Sequence, residues 1–429
     1  NLALVDKFES WMDGTVVTLD NGDNIRDFIP TKYFSFEEIP NYFKTVNIYK
    51  FSKGFSTTHY VPFLEAYCKA LGHNEYYEQV LRVITLLDKP EIKALRLNGE
   101  LWYEIDDLQD LDIAESIFAS PEERLPKIQK RYGGYWRYPN LLDFCYLVNP
   151  FFPCQKLIAE MKANFERLLC NYPSGMEVNS LLAAKYFGIR EECICIGNGA
   201  AELINSLMTL LTGEIGMVFP TFEEYPNRKK AGDIVSYCPS NANFTYSATD
   251  LMKYYEDKKI SVLTLINPDN PSGNFIEKTA ILQLVEWAKK RNITLIVDES
   301  FVDFAETEES NSLLDENILS KNENLIVVKS ISKSFGVPGL RIGVMACGNV
   351  ELINQVKKDV SIWNINSFAE FYMQIFEKYK LEYQGALKKI IDVRKIFINK
   401  LQTISALRVI PSQANYIMCE VLPPYNSTK

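Results

Sequence analysis

Histidine is almost missing from this chain. Only His59 and His73 occur in 429 residues. A Ser-His-Asp triad, a Cys-His pair or an HExxH zinc site is therefore excluded from everything after residue 73. Positive charge is in deficit as well, with 46 Lys and Arg against 55 Asp and Glu and a formal net charge of -9. Such a surface repels phosphate backbones, so a nucleic-acid partner is not expected. No apolar run approaches the ~18 residues of a membrane span, and no membrane partner is expected. The nine cysteines are scattered and none forms CxxC. With no basic-then-apolar leader in view, they read as free thiols in a reducing compartment, the cytoplasm.

What is present is an ordinary globular mixture, 47% hydrophobic and 24% charged, long enough for two or three domains. The clearest seam is SPEERLPKIQKRYGG, which has two prolines, a charge cluster and a glycine pair. It predicts an interdomain linker over 120–134, between a first domain at 1–119 and a second at 135–429. Beyond the seam, short β-rich runs alternate with helical patterns. Strands are expected at Cys193–Ile196, Gly216–Phe219, Val235–Cys238, Ser261–Ile266, Thr294–Val297, Leu325–Val328 and Ile342–Ala346. Leu203, Ile204, Leu207, Met208 and Leu211 follow a helical rhythm, as do Ile281, Leu282, Leu284, Val285 and Ala288. This alternation predicts an α/β fold with a mostly parallel central sheet covered on both faces. Ligands of such sheets sit at the carboxyl ends of the strands.

Four strand ends carry unusual chemistry. CICIGNGAAELI runs from a strand through Gly197-Asn198-Gly199 into a helix opening at Ala200. Its turned-out N–H groups and helix N-terminus suit a phosphate cradle or a plain strand-to-helix turn, and Glu202 stands where a dinucleotide fingerprint needs glycine. LINPDNPSG holds Asn270 between two prolines, and TLIVDESF delivers Asp298 to a strand end. VVKSISKSFGVPGLRIG places Lys329, Ser330, Ser332, Lys333 and Arg341 within a short stretch, which suits an anion plus an amine nucleophile. A lysine, an acid and a phosphate cradle together describe a pyridoxal phosphate (PLP) site, in which the acid faces the ring nitrogen and makes the ring an electron sink.

The ordered set GNGAAE, PTF, NPDNPSG, DESF and SISKSFGVPGLRIG is preceded by a glycine pair at Gly133-Gly134, then VNPFFP and NYPSG. From about Tyr132 onward the chain resembles a fold-type I aminotransferase of class I/II, near the histidinol-phosphate aminotransferase branch. The resemblance implies a large domain at about 170–365 and a small-domain part at 366–429 that is incomplete at its end, because the family's late carboxylate-gripping arginine has no counterpart before Lys429. It implies that Lys333 bonds the cofactor covalently and shuttles the proton, and that Asp298 pairs with the ring nitrogen. Asn270 would donate to the ring oxygen and Phe222 would stack on the ring. Gly199, Ala200 and Ala201 would offer backbone donors to the phosphate, with Ser330, Ser332 and Arg341 completing the clamp. Tyr172 would reach the phosphate of a partner subunit in a homodimer, and Asn149 would lie in the segment lining the substrate entrance. Lys329 competes for the lysine role; Lys333 is preferred because its spacing to GLR matches the family's S-K-x-F pattern. Phe301 and Phe222 stand where many relatives carry tyrosines.

Residues 1–119 resemble the back half of a sugar- or choline-type nucleotidyltransferase, an α/β portion, through VDKFESWMDGTVVTLD and LWYEIDDLQDLDIAE. That resemblance implies that Asp106 helps hold Mg2+ in a fuller chain, because the nucleotide-binding glycine-rich loop is absent. The pairing of the two portions is similar to bifunctional 2-aminoethylphosphonate cytidylyltransferase/aminotransferases. It implies an amino-acid donor, phosphonoacetaldehyde as the carbonyl acceptor, and CTP activation of the product. Alternatives are a histidinol-phosphate aminotransferase, a threonine-phosphate decarboxylase-like enzyme, and a non-catalytic PLP-binding regulator. The acidic charge and the nucleotidyltransferase-like front argue against the last of these.

Overall fold

The computed structural model describes all residues except 89–91, 139–140, 307–309 and 426–429. The chain divides into two compact units, Asn1–Asp143 and Phe144–Lys429.

The first unit is built on five strands, β1 (Leu2–Lys7), β2 (Val16–Leu19), β3 (Ile25–Ile29), β4 (Phe43–Lys50) and β5 (Lys93–Arg96), in the order β3-β2-β4-β1-β5. Only β1 and β5 run parallel. Ala3, Val5, Val17 and Phe28 alternate inward against Leu81 and Ile84 of the helix Glu78–Asp88, giving this unit its own core. The stretch expected as a linker is not extended chain. It holds the helix Pro121–Gln129, started by Ser120 accepting the Glu123 N–H, with proline in the first turn and Glu122 and Glu123 near the positive helix end. Those are helix-start signals, and the proline and charges that suggested a seam belong to them.

The second unit is built on a seven-stranded sheet. Its strands are β6 (Ile194–Asn198), β7 (Ile215–Val218), β8 (Ile234–Tyr237), β9 (Val262–Ile266), β10 (Thr294–Asp298), β11 (Leu325–Ser330) and β12 (Ile342–Cys347). Each strand expected from the sequence is present within one or two residues at either end. The order is β6-β12-β11-β10-β9-β7-β8, parallel except that β12 is antiparallel to both its neighbours. Strands β9, β11 and β12 are buried along their whole length, as a sheet covered on both faces requires. The helix Ala200–Leu210 buries Leu203, Ile204, Leu207 and Met208, and the helix Lys278–Lys290 buries Ile281, Leu284, Val285 and Ala288. The long helix Lys380–Leu401 and the hairpin β13 (Leu407–Val409) and β14 (Cys419–Val421) follow.

Candidate functional site

The site forms at the carboxyl ends of β6, β10 and β11, which run in the same direction and leave their last polar residues on one edge. Asp298 ends β10 and is 3% exposed. Its carboxylate accepts from the Ser300 hydroxyl at 2.5 Å, the Ser300 N–H at 3.0 Å and the Tyr225 hydroxyl at 2.9 Å. The Ser300 hydroxyl also accepts the Ser330 N–H, which ties the ends of β10 and β11 together. Burial pushes the Asp298 carboxyl above its usual range, against the Ser300 and Tyr225 hydrogen bonds and the Lys333 charge. A buried carboxylate of this kind gains from a facing cation.

Lys333 lies on the short helix Ile331–Ser334 after β11. Burial first, and the Arg341 guanidinium second, hold its amine below the ordinary lysine value, while Asp298 works the other way. Lys329 is its opposite. Burial works to lower it, but Asp303 at 2.9 Å and Glu299 at 3.7 Å together outweigh that and hold its ammonium above the usual value. The structure therefore separates the two competing lysines. Lys329 is engaged in a buried ion cluster, whereas Lys333 is the amine biased towards its neutral, nucleophilic form.

The cradle is equally built. Gly199 has φ +74°, and a Cβ there would sit 2.6 Å from the Arg341 guanidinium. Gly343 of β12 leaves room for the Ala200 N–H, where a Cβ would collide. Arg341 itself has φ +57° and holds the Gly199 N–H on its carbonyl at 2.8 Å. A non-glycine residue in that region costs energy, and such strain gathers at functional sites. Glu202, which broke the dinucleotide fingerprint, has a local task. Its carboxylate accepts the Asn198 N–H at 2.7 Å and the Asn364 amide at 2.9 Å, fixing the turn before the helix. The Ser332 hydroxyl is buried with no hydrogen-bond partner among the described residues, a donor still without an acceptor.

The other expected positions are less uniform. Ala200 is buried and Ala201 half-buried in the first helical turn. Phe222 is 39% exposed, three residues before Tyr225. Asn270 sits in a loop that other residues lock. The Asn267 amide clasps both the N–H and the carbonyl of Ile276, and Asp269 accepts from the Tyr246 and Ser272 hydroxyls. Tyr172 is 80% exposed and stacked on Trp363 at 4.6 Å. Phe301 is buried edge-on against Tyr416. Asn149, expected in the segment lining the substrate entrance, has its side chain engaged by the backbone. It is 2% exposed, and its side chain donates to the Ser334 carbonyl at 3.0 Å and accepts the Phe151 N–H at 3.0 Å. Its polar atoms hold the turn after Lys333 because a buried amide must be paired.

In the first unit several of the described acidic residues have partners of their own. Asp107 caps the helix Leu108–Ile117, Asp110 pairs with Arg137 at 2.7 Å, and Glu104 pairs with Lys44 at 3.0 Å. Asp106 stands exposed. Among the described residues no group of three or more His, Cys, Asp or Glu is placed to hold a metal ion. That leaves the Mg2+ expected of a fuller chain without support here.

Comparison with known proteins decides the family. The aminotransferase class I and II pattern matches residues 140–429. The chain belongs to the class I and II aminotransferases. This family member is 26% identical over 410 residues to a Streptomyces rubellomurinus protein named CMP-5'-(3-aminopropyl)phosphonate synthase, covering 95% of this chain and 64% of that one. The chain thus spans less than two thirds of that relative. It is 31% identical over 295 residues to the L-serine phosphate decarboxylase of Sulfurospirillum multivorans, covering 65% of this chain and 74% of that protein. The crystal structure of the histidinol-phosphate aminotransferase from Clostridium acetobutylicum superposes with a TM-score of 0.58 at 26% identity, over 66% of this chain and 84% of that one. The cofactor expected of the family is PLP. The unpartnered Ser332 hydroxyl, the glycine-built cradle under Arg341, the buried Asp298 and the Lys333 amine fit that group. Among the described residues no helix is long and apolar enough to cross a membrane.

Proposed function

We propose that this aminotransferase moves an amino group from an amino acid onto a small phosphonate aldehyde, phosphonoacetaldehyde, giving 2-aminoethylphosphonate. The observation that carries the chemistry is the set of Lys333, Asp298 and Arg341 around one cradle, with burial and the Arg341 guanidinium depressing the Lys333 amine. When bound, PLP supplies an electron sink for charge developing at the substrate carbon. The chain does the rest. Lys333 offers a neutral amine, bonds the cofactor, and takes and returns the substrate Cα proton at its Nζ. Asp298, steadied by Tyr225 and Ser300, keeps a proton on the ring nitrogen. Gly199, Ala200, Ala201, Ser330, Ser332 and Arg341 anchor the phosphate, Asn270 donates to the ring oxygen, and Phe222 covers the ring. Tyr172, exposed on its unit, reaches the site of a second copy in a homodimer.

The substrate class rests on the 95% coverage by a relative whose name contains an aminoalkylphosphonate joined to CMP. That alignment runs through most of the first unit, which supports reading the unit as part of a cytidylyltransferase that would use the amine product. A second reading, decarboxylation of an amino acid that carries a phosphate or phosphonate, is favoured by the relative named L-serine phosphate decarboxylase. It uses the same lysine and acid. The test is phosphorus NMR on the purified chain with PLP. Phosphonoacetaldehyde plus alanine or aspartate should give 2-aminoethylphosphonate. Release of CO2 from serine phosphate without that product would favour decarboxylation, and cofactor binding with no turnover would favour a regulator.

A further inference from the structure

An amine that must meet a small target has to be held to a fraction of an ångström. Lys333 sits on a helix of one turn, Ile331–Ser334, too short to hold itself. Its fixation comes from outside. The Lys333 carbonyl accepts the Asn149 N–H at 2.9 Å, and the Ser334 carbonyl accepts the Asn149 amide. The Ser334 side chain, fully buried, donates to Asp303 Oδ2 at 2.6 Å. Tyr383, from the helix Lys380–Leu401, places its hydroxyl 3.1 Å from the same Asp303 oxygen and 3.0 Å from the Ser334 hydroxyl. Its ring stacks on Phe335 at 4.5 Å. The other Asp303 oxygen faces the Lys329 ammonium. None of these groups is called on by the chemistry above, yet they converge on the residue next to the cofactor lysine.

We propose that Asp303 and Tyr383 are positioning residues for Lys333, fixing the turn that carries its amine through the Ser334 hydroxyl. Lys329 holds the Asp303 carboxylate in place from its far side, so the Ser334 bond is charge-assisted. Tyr383 adds a second anchor from an element nearly fifty residues away in sequence. A shift of the helix Lys380–Leu401 is thereby felt at the lysine. The proposal rests on the reading of Lys333 as the cofactor lysine.

The test uses the full chain, stripped of PLP and reloaded. Its readouts are the rate at which the near-visible absorbance band appears and the melting temperature before loading. Tyr383→Phe keeps the Phe335 stacking and removes only the hydroxyl; Ser334→Ala removes the shared donor. Both should load about tenfold more slowly, the loss of one charge-assisted hydrogen bond, at a melting temperature matching that of Tyr379→Phe. That control loses a phenol bonded to Glu160 at 2.6 Å and should load at the wild-type rate. Asp303→Asn should slow loading further. Wild-type rates in both Tyr383→Phe and Ser334→Ala overturn the proposal, as does equal slowing in Tyr379→Phe, or slowing seen only with a lowered melting temperature. A wild type with no borohydride-bleachable band, or a Lys333→Ala chain that still shows one, overturns the Lys333 reading and the proposal together.

Discussion

Lys329→Ala and Lys333→Ala should have opposite consequences, although the positions are one helical turn apart in sequence. The Lys329 side chain is 3% exposed, 2.9 Å from Asp303 and 3.7 Å from Glu299, whose own side chain is 1% exposed. Removing the ammonium leaves the buried Glu299 and the part-exposed Asp303 without their shared cation. Breaking a buried pair in this way costs about 3–5 kcal/mol. With a urea slope of about 2–3 kcal/mol/M, the unfolding midpoint should fall by about 1–2 M. The pair also carries a pH signature. The Lys329 value is raised by folding, so its stabilisation is fully present below the ordinary lysine value and is lost as pH climbs through the raised one. Lys333 is already disfavoured as a cation by burial and by Arg341. Its removal relieves that, so the cofactor-free Lys333→Ala chain should unfold at or above the wild-type midpoint. It should nevertheless lose the near-visible band and borohydride reduction. Urea titration followed by circular dichroism, beside absorbance spectra, reads both effects. A Lys329→Ala midpoint that does not move, or a Lys333→Ala chain with a bleachable band, would refute the separation of the two lysines.

Other outcomes follow from the same geometry. Arg341→Lys keeps the charge but loses the guanidinium fork over Gly199, so PLP should bind about tenfold more weakly by fluorescence titration; unchanged affinity would remove Arg341 from the clamp. Gly336→Ala puts a Cβ into the Phe152 carbonyl at φ +65°, and should cost about 2 kcal/mol or more in thermal melting; a wild-type melting temperature would contradict the tight approach. Asp298, Glu299 and Asp269 are all raised, with burial the largest cause. Folding therefore retains their protons, and the stability of the cofactor-free chain should decline as pH rises from the ordinary carboxyl range through their raised values. Glu160, lowered by its Lys378 and Tyr379 hydrogen bonds, acts below that range. Asp298→Asn should flatten the decline, and an equally steep slope in that variant would show that Asp298 contributes nothing to it.

How much of this was legible in the sequence depends on the distance over which each feature is specified. Strands β6 to β12 and the buried faces of the helices Ala200–Leu210 and Lys278–Lys290 were readable because apolar periodicity is local. The tight turn at Gly199 was readable for the same reason. Gly199 and the helix start after it are adjacent, and Arg341 is tied to Lys333 by a short Pro-Gly turn. The helix inside the expected linker was not read, since Ser120, a proline and two glutamates mark a helix start as readily as a seam.

What sequence reading missed is non-local. Tyr225 reaches Asp298 across 73 residues, and its only signal was a tyrosine three positions after Phe222. Asn149 lay in a segment assigned to the substrate entrance, yet its amide is fixed on Ser334, 185 residues on. Lys329 looked like a rival nucleophile because a sequence shows a lysine at a strand end but not the carboxylates that fold over it. Asp303, five residues past Asp298, is the decisive partner. It faces the Lys329 ammonium at 2.9 Å, and that pairing distinguishes an ammonium held in a salt bridge from the Lys333 amine, which burial and Arg341 lower. The motif spacing could select Lys333; the physical reason for the selection lies in what surrounds the lysine that was not chosen.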